Sequence, residues 1–308
     1  MSDPENRSPL TGYLLILSAA VLWGTTGTAQ TLAPAGATPP VLGLIRIILS
    51  GILLSLAALI RGEFSNRRFF LRPIFLFTGL CQAVFQLSYF SGIAYTGVAV
   101  GTMVAIGSCP IFAGLLGVIF DREKLTVPWI TATVIAIAGL GLLTLGTRDS
   151  VQVDSRGIAL ALTAGFSYTL FTLIARRLIQ TRESDGIMGI SFLVGSIYLL
   201  PVLYFYPAEW IYGSPRGILV VLYVGFISAA LAYILYGRGL KYVKVSTVGT
   251  LTLAEPLTAA MLGIFFVGEH LTALSGTGMA AIFISQVILV FQGRRKKTPC
   301  PPSSAADP

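Results

Sequence analysis

Charge is what this chain has least of. Of its 308 residues only 11% are Asp, Glu, Lys or Arg, where a soluble domain carries about 25%. A soluble protein with 55% hydrophobic residues could not cover its surface. Together with a mean hydropathy of +0.81, this excludes a cytosolic enzyme and a disordered chain. Cysteine is scarce as well. Cys81 and Cys109 lie in apolar runs and Cys300 near the C-terminus, with no CxxC pair, so neither a disulfide framework nor a zinc site is expected. No metal and no cofactor is predicted. The one histidine, His270, follows Glu269 and reads as a surface residue rather than a proton relay. No nucleotide-binding motif occurs, which excludes transport driven by nucleotide hydrolysis in this chain alone.

What is abundant is apolar sequence. Runs of 17–25 residues fall at about 12–33, 40–60, 70–94, 98–120, 127–145, 157–175, 187–206, 217–237, 245–267 and 273–292. Each is close to the roughly 20 residues that a membrane helix needs. The backbone in lipid must satisfy its own hydrogen bonds, and the Pro and Gly content argues against barrel strands, so all ten are predicted to be helices. The first lacks a small-residue cleavage pattern and reads as a span rather than a signal peptide. The net charge of +8 comes from basic clusters between runs, a topology signal and not a nucleic-acid footprint. With a cytoplasmic N-terminus, seventeen Lys and Arg fall inside: Arg7; Arg61, Arg67, Arg68 and Arg72; Arg122 and Lys124; Arg176, Arg177 and Arg182; Arg238, Lys241 and Lys244; and Arg294, Arg295, Lys296 and Lys297. Three fall outside, Arg148, Arg156 and Arg216, while Arg46 lies within the second run. Both termini are therefore expected in the cytoplasm. The run Arg294–Lys297 is suited to anionic headgroups.

The chain also repeats itself. At a constant offset of 146, Pro110, Gly117, Glu123, Leu125 and Thr126 match Pro256, Gly263, Glu269, Leu271 and Thr272. Tyr89, Gly92 and Tyr95 match Tyr236, Gly239 and Tyr242 at 147, and Gly12 and Trp23 align with Gly157 and Tyr168 at 145. The unit is five helices. An odd number forces the second copy into the membrane upside down, the inverted-repeat architecture of many secondary transporters. The predicted organisation is a cytoplasmic N-terminus (1–11), a first five-helix repeat (12–146), an extracytoplasmic connector (147–156), a second repeat (157–292) and a basic cytoplasmic tail (293–308).

Leu22–Thr25 (Leu-Trp-Gly-Thr), Arg46, Tyr95–Thr96, and the Pro110 and Glu255–Pro256 elements with their Glu-x-Leu-Thr loops give the chain its resemblance to the drug/metabolite transporter superfamily, in its ten-helix form with two EamA-type halves. The resemblance spans essentially the whole chain. It implies that spans one to four and six to nine surround a central cavity, with spans five and ten at the periphery. Such proteins often carry Glu before both prolines; here the first copy has Cys109, so any role for that carboxylate rests on Glu255. The resemblance implies a multi-pass protein of the bacterial inner membrane. It would export a small organic metabolite, an amino acid or an amino-acid-derived compound such as an opine-like metallophore, by alternating access. Uptake or exchange on the same fold is the alternative, and a membrane enzyme or a channel a remote one. The expected partners are a small-molecule substrate and lipids, with a proton as the possible coupling ion and a homodimer as a possible assembly; no nucleic acid is expected.

Several residues are candidates for substrate binding or coupling. Arg46 and Glu255 are the ionisable groups well inside spans, both near midplane, where a charge costs about 2.5–3.5 kcal/mol to insert. Glu255 suits a proton or a cationic group and Arg46 a carboxylate; the bland reading is a structural pair. Pro110 and Pro256 remove a backbone donor and crowd the carbonyls of Ile106 and Thr252, predicting kinks at one level of both halves. Gln82, Gln86 and Tyr89 share one helical face. Trp23, Gln30, Tyr168, Ala229, Tyr233 and Tyr236 extend this to a cavity with aromatic walls; the alternative is interhelical hydrogen bonding and interfacial belts. Tyr95, Tyr236 and Tyr242 are assigned to the belts. Small residues at Ala136-x-x-Gly139 and Gly276-x-x-x-Ala280 permit close helix contact, within the chain or in a dimer.

Overall fold

The computed structural model describes residues 9–146, 154–268 and 271–295; Arg7, Arg148, Glu269, His270, Lys296, Lys297 and Cys300 lie outside them. The described residues are helical, without strands. The spans are α1 (Pro9–Thr31), α2 (Pro39–Ile60), α3 (residues 74–96), α4 (residues 98–121), α5 (Val127–Leu145), α6 (Ser155–Ile179), α7 (Ser184–Phe205), α8 (Pro215–Leu240), α9 (Val245–Phe266) and α10 (Ala273–Arg295).

α3 and α4 follow each other without a loop across the 48 residues Ile74–Asp121. At about 1.5 Å per residue a single helix of that length would be about 72 Å long, far more than the roughly 30 Å hydrocarbon core. Gly97 divides the two. Its φ of 81° and ψ of 163° belong to a conformation that only glycine adopts without strain, and the chain turns back there. α3 starts later than the hydropathy predicts. Arg67–Phe70 forms a separate short helix, and Pro73 caps the start of the span at Ile74, because a proline fits the first turn of a helix but not its interior.

Local sequence sets the other ends. Thr126 accepts a hydrogen bond from the Trp129 amide at 3.4 Å to open α5, and Thr272 accepts one from Ser275 at 3.1 Å to open α10. The two Glu-x-Leu-Thr loops thus end in equivalent N-caps. Asp154 caps α6 and Ser214 caps α8.

The halves interlock rather than standing apart. Gly157 of α6 lies so close to α3 that an added Cβ would sit 2.8 Å from Tyr95 Cβ and 3.1 Å from the Gly92 carbonyl. Its repeat mate Gly12 meets the mates of those residues: Tyr242 Cβ at 2.6 Å and the Gly239 carbonyl at 3.3 Å. Each half's first helix therefore docks on the third helix of the other half. α5 and α10 pack together at the edge, where Gly139 faces the Gly278 carbonyl. The Ala136–Gly139 stripe is used inside the chain, and Ala136 is fully buried.

An even number of spans puts both termini on one face, here the terminal face; the other is the distal face. All ion pairs among the described residues lie at the terminal face. Asp121 bonds Arg176 at 3.2 Å and Arg177 at 2.8 Å, buried Asp185 pairs with Arg61 and with Arg238 at 3.7 Å, and Lys241 meets Glu183 at 2.7 Å. Buried Glu123 accepts the amides of Val245 at 2.9 Å and Ser246 at 3.2 Å and the Ser246 hydroxyl. The Glu63 carboxylate accepts the Gly186 amide at 2.9 Å. Most of these contacts join the first half to the second. At the distal face the halves meet through hydroxyls, as in Thr272 to the Gly146 carbonyl at 3.1 Å and Tyr223 to Thr25 at 2.9 Å.

Candidate functional site

A cavity of about 790 Å³ runs between the halves. Trp23, Gln30, Arg46, Gln82, Gln86, Tyr89, Tyr168, Tyr233 and Glu255 all line it, brought together from six spans. It reaches the distal face, where Thr38, Pro39, Tyr95, Val98 and Tyr206 form its rim. Toward the terminal face it stops on packed aromatics. Trp23 lies 5.0 Å from both Tyr233 and Tyr236 and 6.3 Å from Tyr168, centroid to centroid, and Phe192 closes on Tyr233 at 4.4 Å. Tyr236 is fully buried and its hydroxyl pairs with Thr172 at 2.8 Å. It is therefore not a belt residue: its phenol finds a buried partner inside the bundle. Ala229 is likewise buried in the core and does not line the cavity. Tyr95, 47% exposed, sits on the rim of the cavity at the distal face.

Arg46 reaches the cavity from the second turn of α2, seven residues beyond Pro39. Glu255 comes from a broken helix. α9 leaves regular geometry at Thr252 and Leu253 and restarts at Ala254. Bonds from the Leu253 amide to Thr250 (3.2 Å) and from the Glu255 amide to Thr252 (3.0 Å) tighten the turn. Pro256 occupies the third position of the new segment, where its missing N–H has no partner to lose. Glu255 thus stands at the positive end of a half-helix. Pro110, by contrast, sits inside α4 without disturbing its helical dihedrals and does not line the cavity. The two prolines match in sequence but only the second interrupts its helix.

Arg46 and Glu255 share the cavity and feel each other's charge, and Tyr89 and Tyr233 lie in the field of both. Among the described residues neither makes an ion pair within 4.0 Å or a side-chain hydrogen bond. Trp23 Nε1 at this end of the cavity is buried without a hydrogen bond, while the Tyr168 and Gln82 side chains approach Tyr236 and Tyr233. An unsatisfied buried group costs about 1–3 kcal/mol, and Trp23 Nε1 adds one to the two unpaired charges of this cavity. Tyr89 pairs with Thr102 at 3.1 Å across the α3–α4 turn.

The lining residues that were not proposed for the site from sequence include Ser50, Phe85, Thr102, Cys109 and Thr252. Phe85 and Ser50 could have been found, since Phe85 lies on the Gln82–Gln86–Tyr89 face and Ser50 one turn beyond Arg46. Thr102 and Thr252 carry no signal of their own.

A family model described as the EamA-like transporter family matches residues 10–145 and again residues 155–291. The chain is 38% identical over 285 residues to a protein of Bacillus subtilis (strain 168) titled "Uncharacterized transporter YwfM", covering 92% of this chain and 95% of that one. It is 27% identical to the "Threonine/homoserine exporter RhtA" of Escherichia coli (strain K12), covering 89% of each. A solved crystal structure superposes with a TM-score of 0.79 at 19% identity, over 93% of this chain and 99% of the other, a likeness of fold.

Proposed function

The chain belongs to the EamA-like transporter family, a multi-pass membrane transporter, and from that premise we propose that it exports a small zwitterionic metabolite, an amino acid or a compound derived from one, by proton-coupled alternating access. The carrying observation is the unpaired arrangement of Arg46 and Glu255 in one cavity. Arg46 offers a carboxylate two parallel hydrogen bonds. Glu255 offers an ammonium a counter-charge when ionised, and releases it on taking a proton. Gln82, Gln86, Tyr89 and Tyr168 supply further polar contacts, and the aromatic floor receives the apolar part of the solute.

Direction and topology follow from the same reading. The seventeen-to-three distribution of Lys and Arg supports a cytoplasmic terminal face; on that reading the cavity opens outward and the ion pairs close the inside. Alternating access requires the opposite arrangement as well, which the inverted repeats supply by exchanging roles. Export and action on amino acids are supported by the similarity to the threonine/homoserine exporter RhtA.

The test is transport in proteoliposomes of the full chain with a panel of labelled solutes, beginning with threonine and homoserine. Losing a charge-assisted hydrogen bond costs about 1.5–3 kcal/mol, about ten- to a hundredfold. Arg46→Gln is expected to lower transport of a carboxylate-bearing solute by that factor, mainly through the apparent affinity, while the protein still inserts and purifies as a single species. Unchanged transport in a well-folded Arg46→Gln protein contradicts the proposed role of Arg46.

A further inference from the structure

A second cavity, of about 130 Å³, opens at the terminal face and shares no lining residue with the first. It lies between the start of α1, the α4–α5 loop, the α8–α9 turn and the end of α10. Two lysines line it and no acid does. Lys124 belongs to the first half and Lys244 to the second, and neither forms an ion pair among the described residues. The neighbouring carboxylate that could neutralise them, Glu123, is buried and engaged by the Val245 and Ser246 groups. One buried carboxylate beside two lysines leaves an excess of positive charge for something else. The lining includes donors besides. Trp129 is 8% exposed and its Nε1 has no hydrogen-bond partner. The Tyr13 and Thr247 hydroxyls, paired with each other, and the Gln292 amide, which donates to Thr126, share the wall. α5, a helix of 19 residues, begins beside it and adds its positive end.

We infer that this cavity binds a phosphate group, held by Lys124 and Lys244 across the seam between the two halves. It has room for a tetrahedral oxyanion but not for an organic solute of the kind the large cavity accommodates. Two sources share this chemistry, the headgroup of an anionic phospholipid and a free phosphate ion. Position favours the lipid, since Tyr13, Trp129 and Tyr242 are the aromatic residues found at headgroup level, and α5 and α10 form the periphery. Such a ligand would tie the first half to the second at the face that Glu123 holds shut. The site is separate from the solute cavity and does not depend on what that cavity carries.

The full chain, purified in a neutral detergent, would be titrated with phosphatidylglycerol and followed by native mass spectrometry. In parallel its thermal unfolding would be measured with and without inorganic phosphate. Each basic residue near a membrane surface contributes substantially to binding anionic lipid, so Lys124→Gln/Lys244→Gln should weaken retention of the first phosphatidylglycerol at least about tenfold. Arg67→Gln/Arg68→Gln, which removes two exposed charges at the same face outside the cavity, should leave it unchanged. Thermal unfolding without either ligand checks that both variants are folded. Lipid retention lost only in the lysine variant supports the site with a lipid source. A stabilisation by inorganic phosphate lost only in that variant supports it with a free ion. If the lysine variant keeps both responses, or the arginine control loses them equally, the site is overturned.

Discussion

Arg46 and Glu255 are placed by the cost of charge in a bilayer. At about 2.5–3.5 kcal/mol each, neither could face lipid, and both line the cavity. That much was legible in the sequence, because an ionisable residue in an apolar run has few places to go. The amide face of α3 was legible for the same reason, two glutamines one turn apart having to face inward. Thr102 and Thr252 were not, because a threonine in a helix can satisfy its hydroxyl on its own backbone, as Thr252 does on Gly249 at 2.9 Å. Tyr236 was misread because a tyrosine near a helix end looks the same whether its hydroxyl meets a headgroup or, as here, Thr172. Glu63, between α2 and α3, gives a prediction at this scale. Burial lifts its carboxyl above the ordinary 4.5; the Gly186 amide opposes this, the charges of Asp185 and Glu183 add to it, and Arg61 opposes it. The folded protein thus holds this proton to higher pH than the unfolded chain. The associated stability is present below 4.5 and is lost as pH rises through the folded value. Glu63→Gln should flatten the fall in melting temperature from pH 4.5 upward, and an unchanged profile would show that Glu63 does not contribute to it.

Helices in this molecule are fixed by a few small residues and by where the chain cannot stay helical. Hydropathy located the spans, and caps such as Thr126 and Thr272 located the ends of α5 and α10. It could not reveal that Pro110 is absorbed while Pro256 breaks its helix, because that depends on whether the proline falls inside a helix or at the start of one. Nor did it show how the halves interlock. The matching glycines Gly12 and Gly157 carry that information, but only once their neighbours, Tyr242 and Tyr95, are seen to match too. Inserting a methyl group at either contact needs a backbone shift of the kind that costs about 1–3 kcal/mol. Gly12→Ala and Gly157→Ala should each lower the melting temperature in detergent. Gly141→Ala, whose new Cβ would come no nearer than 3.8 Å to the flexible end of Met103, should leave it unchanged or raise it slightly. Equal behaviour of all three variants would contradict the interlocked packing.

The whole molecule is asymmetric in how it is held. The exposed Lys241–Glu183 pair contributes only about 0–1 kcal/mol, whereas the pairs of buried Asp185 and half-buried Asp121 join the two halves more firmly at this face. Glu123, buried and accepting three hydrogen bonds, is a further tie between the halves at that face. The distal face, joined by hydroxyls, stands open. This asymmetry could not be read from the repeat, which makes the halves equivalent, and it describes one state of a cycle that the repeat predicts to have two. We propose that Glu255 couples this cycle to a proton. The direct measurement is solute flux in proteoliposomes with and without an imposed pH gradient, comparing the wild type with Glu255→Gln, which keeps shape but cannot ionise. The account predicts that the variant inserts normally and still exchanges solute across the membrane, while its net flux no longer responds to the gradient. A well-folded Glu255→Gln protein whose flux responds to the gradient as the wild type does would contradict it.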